Sequence, residues 1–214
     1  MGSTPPQDVL QQQKQAILRA LWRDKMHVER QALTLSPPAV RARYEHIWEP
    51  ATLLLEELRL FPLGMLRLWW DGPAGHLVFT HRASHYVPGI QLWQEQRLEG
   101  VCYLSLGELA SERERAMGAL FALWDHLLGS GALAEQGYFS AGKGLTPTLH
   151  KLAQRFVHIH RLGYGHEATG AKNSQEYFCR TLWLYLRAPR QLNTIDPLVF
   201  KLYRHGLMQE HIYR

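Results

Sequence analysis

Apolar side chains recur at helical spacing from residue 8 to 33. Val9, Leu10, Ile17, Leu18, Leu21, Trp22 and Leu33 make a stripe, and Lys14, Arg19, Arg23, Lys25 and Arg30 keep the other faces wet. This spacing predicts one long helix. Ser36-Pro37-Pro38 breaks it, and Ser36 is placed to cap a second helix carrying Val40, Tyr44, Ile47 and Trp48. Pro50 interrupts that helix, and 51–60 resumes it with Leu53, Leu54, Leu55 and Leu58. After Leu63-Gly64 the texture changes. Residues 65–70 and 76–81 are apolar, aromatic runs separated by Asp71-Gly72-Pro73-Ala74-Gly75, a β-hairpin signal. Residues 89–93 and 100–106 supply two more expected strands.

Beyond the strands the helical period returns. Ser111 is an expected N-cap for a helix over 112–128, with Glu112 and Glu114 in its first turn and Gly129-Ser130-Gly131 as its stop. Residues 130–146 read as a Gly-rich polar loop, 147–162 as a helix and 163–173 as a loop. Ser174 is expected to cap a helix over 175–187, which Pro189 ends, and Pro197 opens a last helix to about 210. Residues 1–7 read as a frayed tail. Helices, then strands, then helices make an α+β pattern rather than βαβ repetition. The expected sheet is small, twisted and mostly antiparallel. Residues 1–62 form an N-terminal helical section and 63–214 an α+β domain, within one compact unit.

Composition narrows the function classes. A chain of 214 residues, 46% hydrophobic and 20% charged, can bury a core without disulfides or metal and is not disordered. Lys and Arg exceed Asp and Glu by 24 − 19, a net charge of +5. That leaves open a basic nucleic-acid-associated protein using Arg and Trp of the N-terminal helices, although no RNP, zinc-finger or helix-turn-helix signature is present. No apolar run approaches the ~20 residues of a membrane span, and no signal-like apolar stretch follows Met1. With Cys102 and Cys179 far apart in apolar contexts, reduced buried thiols and a cytoplasmic location are expected.

Several constellations invite chemistry. Gly137, Gly142, Lys143 and Gly144 space like a phosphate-cradling loop, but glycine stands where Ser or Thr would hold Mg²⁺. His158 and His160 are two apart and point away from each other on a helix, and His166 follows in the next loop. Neither H-E-x-x-H nor C-x-x-C occurs. Cys179 sits mid-helix, a packed rather than an electropositive position. Asp125 and His126 are adjacent on one helix, so their side chains diverge by about 100°.

One resemblance covers residues 86–205. Tyr86-Val-Pro-Gly-Ile-Gln-Leu92 and Gly100-Val-Cys-Tyr-Leu-Ser-Leu106 precede a helix ending Asp125-His126-Leu127-Leu128-Gly129. Asn173-Ser-Gln-Glu176-Tyr-Phe-Cys-Arg180 follows, continuing through Pro189 and Pro197 to Tyr203. This stretch resembles the zincin metallopeptidases of the anthrax lethal factor-like group, and more distantly the Mlc titration factor group. Their helix reads H-E-[LF]-G-H-A-L-D-H-L-L-G and their later segment N-P-x-E-[FY]-F-A-E. The resemblance puts the two zinc histidines on Gly118 and Ala122 and the catalytic glutamate on Ala119. Only the third-ligand position, Glu176, is kept, and Arg180 replaces a second acid and can pair with Glu176 at i, i+4. It implies a zincin-like fold without cofactor: a non-catalytic pseudo-peptidase that binds another protein or a peptide by strand addition. The groove is expected between the sheet edge and helix 112–128. The alternative is a zinc peptidase whose ligands come from His126, His158, His160 or His166 with Glu176.

Overall fold

The computed structural model describes residues 7–130 and 137–213. Of the expected tail only Gln7 falls within them, and Gly131 of the expected helix stop lies outside. Helix α1 (Gln7–Lys25) ends earlier than its apolar stripe suggests. The buried Lys25 ammonium donates to Gly72 O at 2.6 Å and Ala74 O at 3.0 Å, and the chain leaves the helix as strand β1 (Met26–Val28). Ser36 donates to Ala32 O at 2.7 Å instead of capping, and α2 (Pro38–Arg43) follows. Pro50 falls in the first turn of α3 (Trp48–Leu58), where its missing N–H is not needed, so it helps to open that helix and does not interrupt it.

Residues 65–70 are not a strand. They lie in α4 (Leu63–Asp71), behind Pro62. Leu63, Met65, Leu66 and Trp69 are all buried, and a short apolar run carries no period that separates a buried strand from a buried helix. Trp69 Nε1 donates to Gly75 O at 2.6 Å, folding 71–75 back toward β2 (His76–Thr80). The hairpin is instead β3 (His85–Trp93) and β4 (Gln96–Ser105), joined through Gln94 and Glu95 at φ 43° and 72°. Two central residues of positive φ match the twist of the flanking strands.

The sheet order is β1-β2-β4-β3. β1 runs parallel to β2 and β2 parallel to β4, and β3 alone is antiparallel. The sheet is therefore mixed, not mostly antiparallel. Helices α2 to α4 carry the chain over between β1 and β2, a connection that parallel neighbours require. Leu77, Phe79, Cys102 and Leu104 enter the main core, whereas Val78, Val101 and Leu98 form a small cluster under Trp93 and Tyr103. Between Val87 and Ile90 the register slips, at Pro88 and a Gly89 of φ 79°, which breaks the ladder of the edge strand.

Ser105 caps α5 (Leu106–Ser111), so the cap expected at Ser111 belongs one helix earlier. Ser111 donates to Gly107 O at 2.9 Å, and α6 (Arg113–Gly129) starts after Glu112. A Cβ on Gly129 would overlap Gly137 O, so the backbone touches itself there and the two segments on either side of 131–136 are held together. A 3-10 turn (Phe139–Ala141) leads to α7 (Pro147–Leu162), capped by Thr146 and stopped by a left-handed Gly163. Short α8 (His166–Thr169) precedes α9 (Ser174–Arg187), whose cap is Asn173, one residue before the expected Ser174. Then come α10 (Pro189–Ile195), α11 (Pro197–Leu202), a π-helical turn (Tyr203–Leu207) and a 3-10 turn (Glu210–Tyr213). One core runs from Ile17 to Ile212 and joins both sections of this α+β fold. Among the described residues no helix is long and apolar enough to cross a membrane.

Candidate functional site

The first half of α6 and the middle of α9 face each other across a hollow of about 910 Å³. Gly118 and Ala122, one turn apart on α6, line it from one side, and Glu176, Cys179, Arg180 and Trp183 of α9 from the other. Four positions singled out by the sequence therefore meet in one cavity. The fifth, Ala119, is 9% exposed and joins the core instead. A Cβ on Gly118 would meet nothing within 4 Å, so the wall is open at that residue. The lining comes from α5, α6 and α9. The opening is thus between two helices, whereas the groove was expected between the sheet edge and helix 112–128.

Glu176 and Arg180 do not pair. Asn173 Oδ1 accepts from Glu176 N at 2.8 Å, and Glu176 Oε2 accepts from Lys172 N at 3.0 Å. The carboxylate thus fastens the first turn of α9 and satisfies an N–H that precedes the helix. Arg180 Nη1 donates to Thr169 O and ties the end of α8 to α9. Each side chain finds a backbone partner on its own side, which leaves the expected i, i+4 pair unmade.

The rim is braced by ion pairs. Arg113 reaches Glu57 at 3.4 Å, and Arg115 reaches Glu108 at 3.1 Å and Glu112 at 3.6 Å. Arg187 also binds Glu57 and lies 5.3 Å from the centre of the Trp183 ring. On the floor, burial pushes the Cys179 thiol far above the usual range, with the Asp125 and Glu176 charges acting the same way. That is a packed thiol with little thiolate.

Behind the cavity, Asp125 and His126 do diverge. Asp125, fully buried, accepts from Ser140 N at 2.7 Å and from Ser140 Oγ at 2.6 Å. Burial raises it to about 7, and the hydrogen bonds from Ser140 and Phe139 pull the other way. His126 Nδ1 lies 2.6 Å from Tyr86 Oη, and its ring packs 4.7 Å from Tyr138. One residue pair thus moors both 138–140 and β3 to α6. The Gly137–Gly144 run singled out by its phosphate-loop spacing serves here to deliver Ser140 to Asp125. Tyr86 and Ser140 carried no sequence signal for this, because the contacts link separate segments of the chain.

No protein-family model, no curated protein and no solved structure matches this chain.

The histidines are not gathered into the alternative zinc site. His158 is exposed, and His160 packs its ring 4.3 Å from His166 and 5.2 Å from Tyr177. His126, on α6, is engaged with Tyr86 of β3. Positions 158 and 160 diverge on α7 because residues two apart on a helix do not share a face. Among the described residues no three His, Cys, Asp or Glu side chains form a group that could hold a metal. At the α6–α9 hollow, Gly118 and Ala122 offer no donor atom, and the Glu176 carboxylate is engaged by backbone. This donor set does not fit zinc, which takes three protein ligands at a catalytic site.

Proposed function

We propose that the chain is a zincin-like scaffold without the zinc machinery, acting as a non-catalytic interaction or regulatory module. Its α6–α9 hollow takes a peptide segment of a protein partner. The observation that carries this reading is the meeting of Gly118, Ala122, Glu176 and Arg180 around one cavity of about 910 Å³. The size lies within the range of ligand pockets. Residues without side-chain donors stand where the resemblance calls for histidine. The remaining acid is a helix-start residue, and the rim arginines Arg113 and Arg115 are held by Glu57, Glu108 and Glu112. Such a wall can bind by shape and hydrogen bonding, and Gly118 and Ala122 bring no side-chain donor to a metal.

The test is selection from a displayed random peptide library against the intact protein, with Gly118→Phe as comparison. The open wall at Gly118 receives the new ring, so the melting temperature should stay within a few degrees while binding of the selected peptides is lost. Selected peptides should emerge uncleaved. Peptides held equally by Gly118→Phe, or cleavage that follows one zinc per chain, would overturn the reading.

A further inference from the structure

β1 is short, yet it holds the join between α1 and the sheet. Its three residues pair in parallel with Leu77, Val78 and Phe79 of β2, and Glu29 N continues the ladder to Phe79 O at 3.0 Å. So few backbone bonds hold an edge strand weakly. Two side-chain links cross the same joint. His27 Nε2 lies 3.1 Å from His76 Nδ1, with the rings 5.2 Å apart and tilted 40°. Just past the strand, Glu29 Oε2 accepts from Thr80 Oγ1 at 2.6 Å and lies 3.1 Å from His81 Nδ1, a pair that acid strengthens by charging His81 and that therefore does not open the joint.

We propose that His27 and His76 form an acid-sensitive latch that holds β1 on β2, and that loading both rings with protons releases β1 and bares the β2 edge. The geometry requires it. Of two nitrogens facing each other, one donates and the other must be bare, so two imidazolium rings would turn N–H against N–H. The charges around the pair deepen the effect. Lys25 at the end of α1 is already a buried cation there, fixed by the carbonyls of Gly72 and Ala74. The opposite charges that act on it are Asp24 on α1 and Glu99 on β4. Asp24 is itself engaged by Arg23 at 2.6 Å and by Trp70 Nε1 at 3.1 Å. Neither acid adds a bond to the imidazoles. Burial, then Lys25, then His27 bring His76 down to about 4, against a weaker pull from a hydrogen bond with Pro73. Burial and Lys25 lower His27 as well.

The sign follows. With β1 open, both rings return toward 6.5, so the open state binds protons that the closed state refuses. Closure is complete above about pH 6.5 and weakens as pH falls toward 4. His76 alone then favours opening by about 50-fold between pH 7 and 4.5. α1 does not need to leave, because Ile17, Leu18 and Leu21 keep it in the core.

Hydrogen exchange of the native protein, corrected for intrinsic rates, tests this at the amides of 27–29 from pH 7 to 4.5. Opening there should grow about 50-fold or more, while the β3–β4 amides stay protected. His76→Gln and the double variant His27→Gln/His76→Gln should each flatten the dependence, and the single variant serves if the double one does not fold. Exchange at 27–29 that ignores pH would overturn the latch. So would a slope unchanged in His76→Gln, or a loss of protection shared equally by β3–β4.

Discussion

Asp125 shows how one side chain can be both anchor and liability. Ser140 donates to it twice, through N and Oγ, yet its complete burial outweighs these bonds and raises it to about 7. The ordinary value is 3.8, so the folded chain binds a proton more tightly than the unfolded one over that interval. Stability from this residue is present at low pH and declines as pH rises from about 4 to about 7. Asp125→Asn removes the titration. The stability difference between wild type and variant should therefore shift against wild type with rising pH, by up to about 1.4 kcal/mol per unit. Urea unfolding at pH 4.5, 6 and 7.5 measures it, and a constant difference would mean that Asp125 keeps its usual carboxylate range.

Among the elements, α7 stands where the sequence puts it, because Pro147 at its start and Gly163 at its stop are local signals. α4 does not, because its all-round apolar run fits either period and only the partners it meets decide. The parallel sense of β1, β2 and β4 was likewise illegible, since alternation along a strand says which face is buried but not which neighbour it takes. The site divides the same way. Helical spacing put 118 and 122 on one face of α6, and that pair does line the hollow. Ala119, one residue on, turned inward, and the Glu176–Arg180 pair gave way to backbone partners that spacing cannot reveal. This placement carries a prediction for α6. Gly118→His and Ala122→His would put two imidazoles one turn apart across from Glu176, the arrangement one tetrahedral ion needs. Added zinc should raise the melting temperature of the double variant by several degrees and leave the wild type unchanged. A variant indifferent to zinc would mean that 118 and 122 do not share a ligand with Glu176.

The whole molecule is closed by its last turn. Glu210 accepts from Leu63 N at 2.6 Å and Gly64 N at 3.0 Å, capping α4 from the far end of the chain. Tyr213 packs so closely on Gly64 that a Cβ there would overlap it. Glu210→Ala leaves two N–H groups of a helix start without their carboxylate and should cost about 1–3 kcal/mol, read as a lower denaturation midpoint at unchanged slope. The global response to acid is a composite. Asp125 favours the folded state as pH falls and the His27–His76 pair disfavours it, so the two partly cancel in any single melting curve. Only site-resolved exchange or the single variants separate them.

The contact between Gly129 and Gly137 works as a tripwire. A Cβ at 129 would meet Gly137 O and Phe139 N, backbone atoms that cannot swing aside. Gly129→Ala would therefore lift 137–139 from the end of α6 and draw Ser140 off Asp125, so that a single methyl group would loosen a buried hydrogen-bonded anchor one helical turn away.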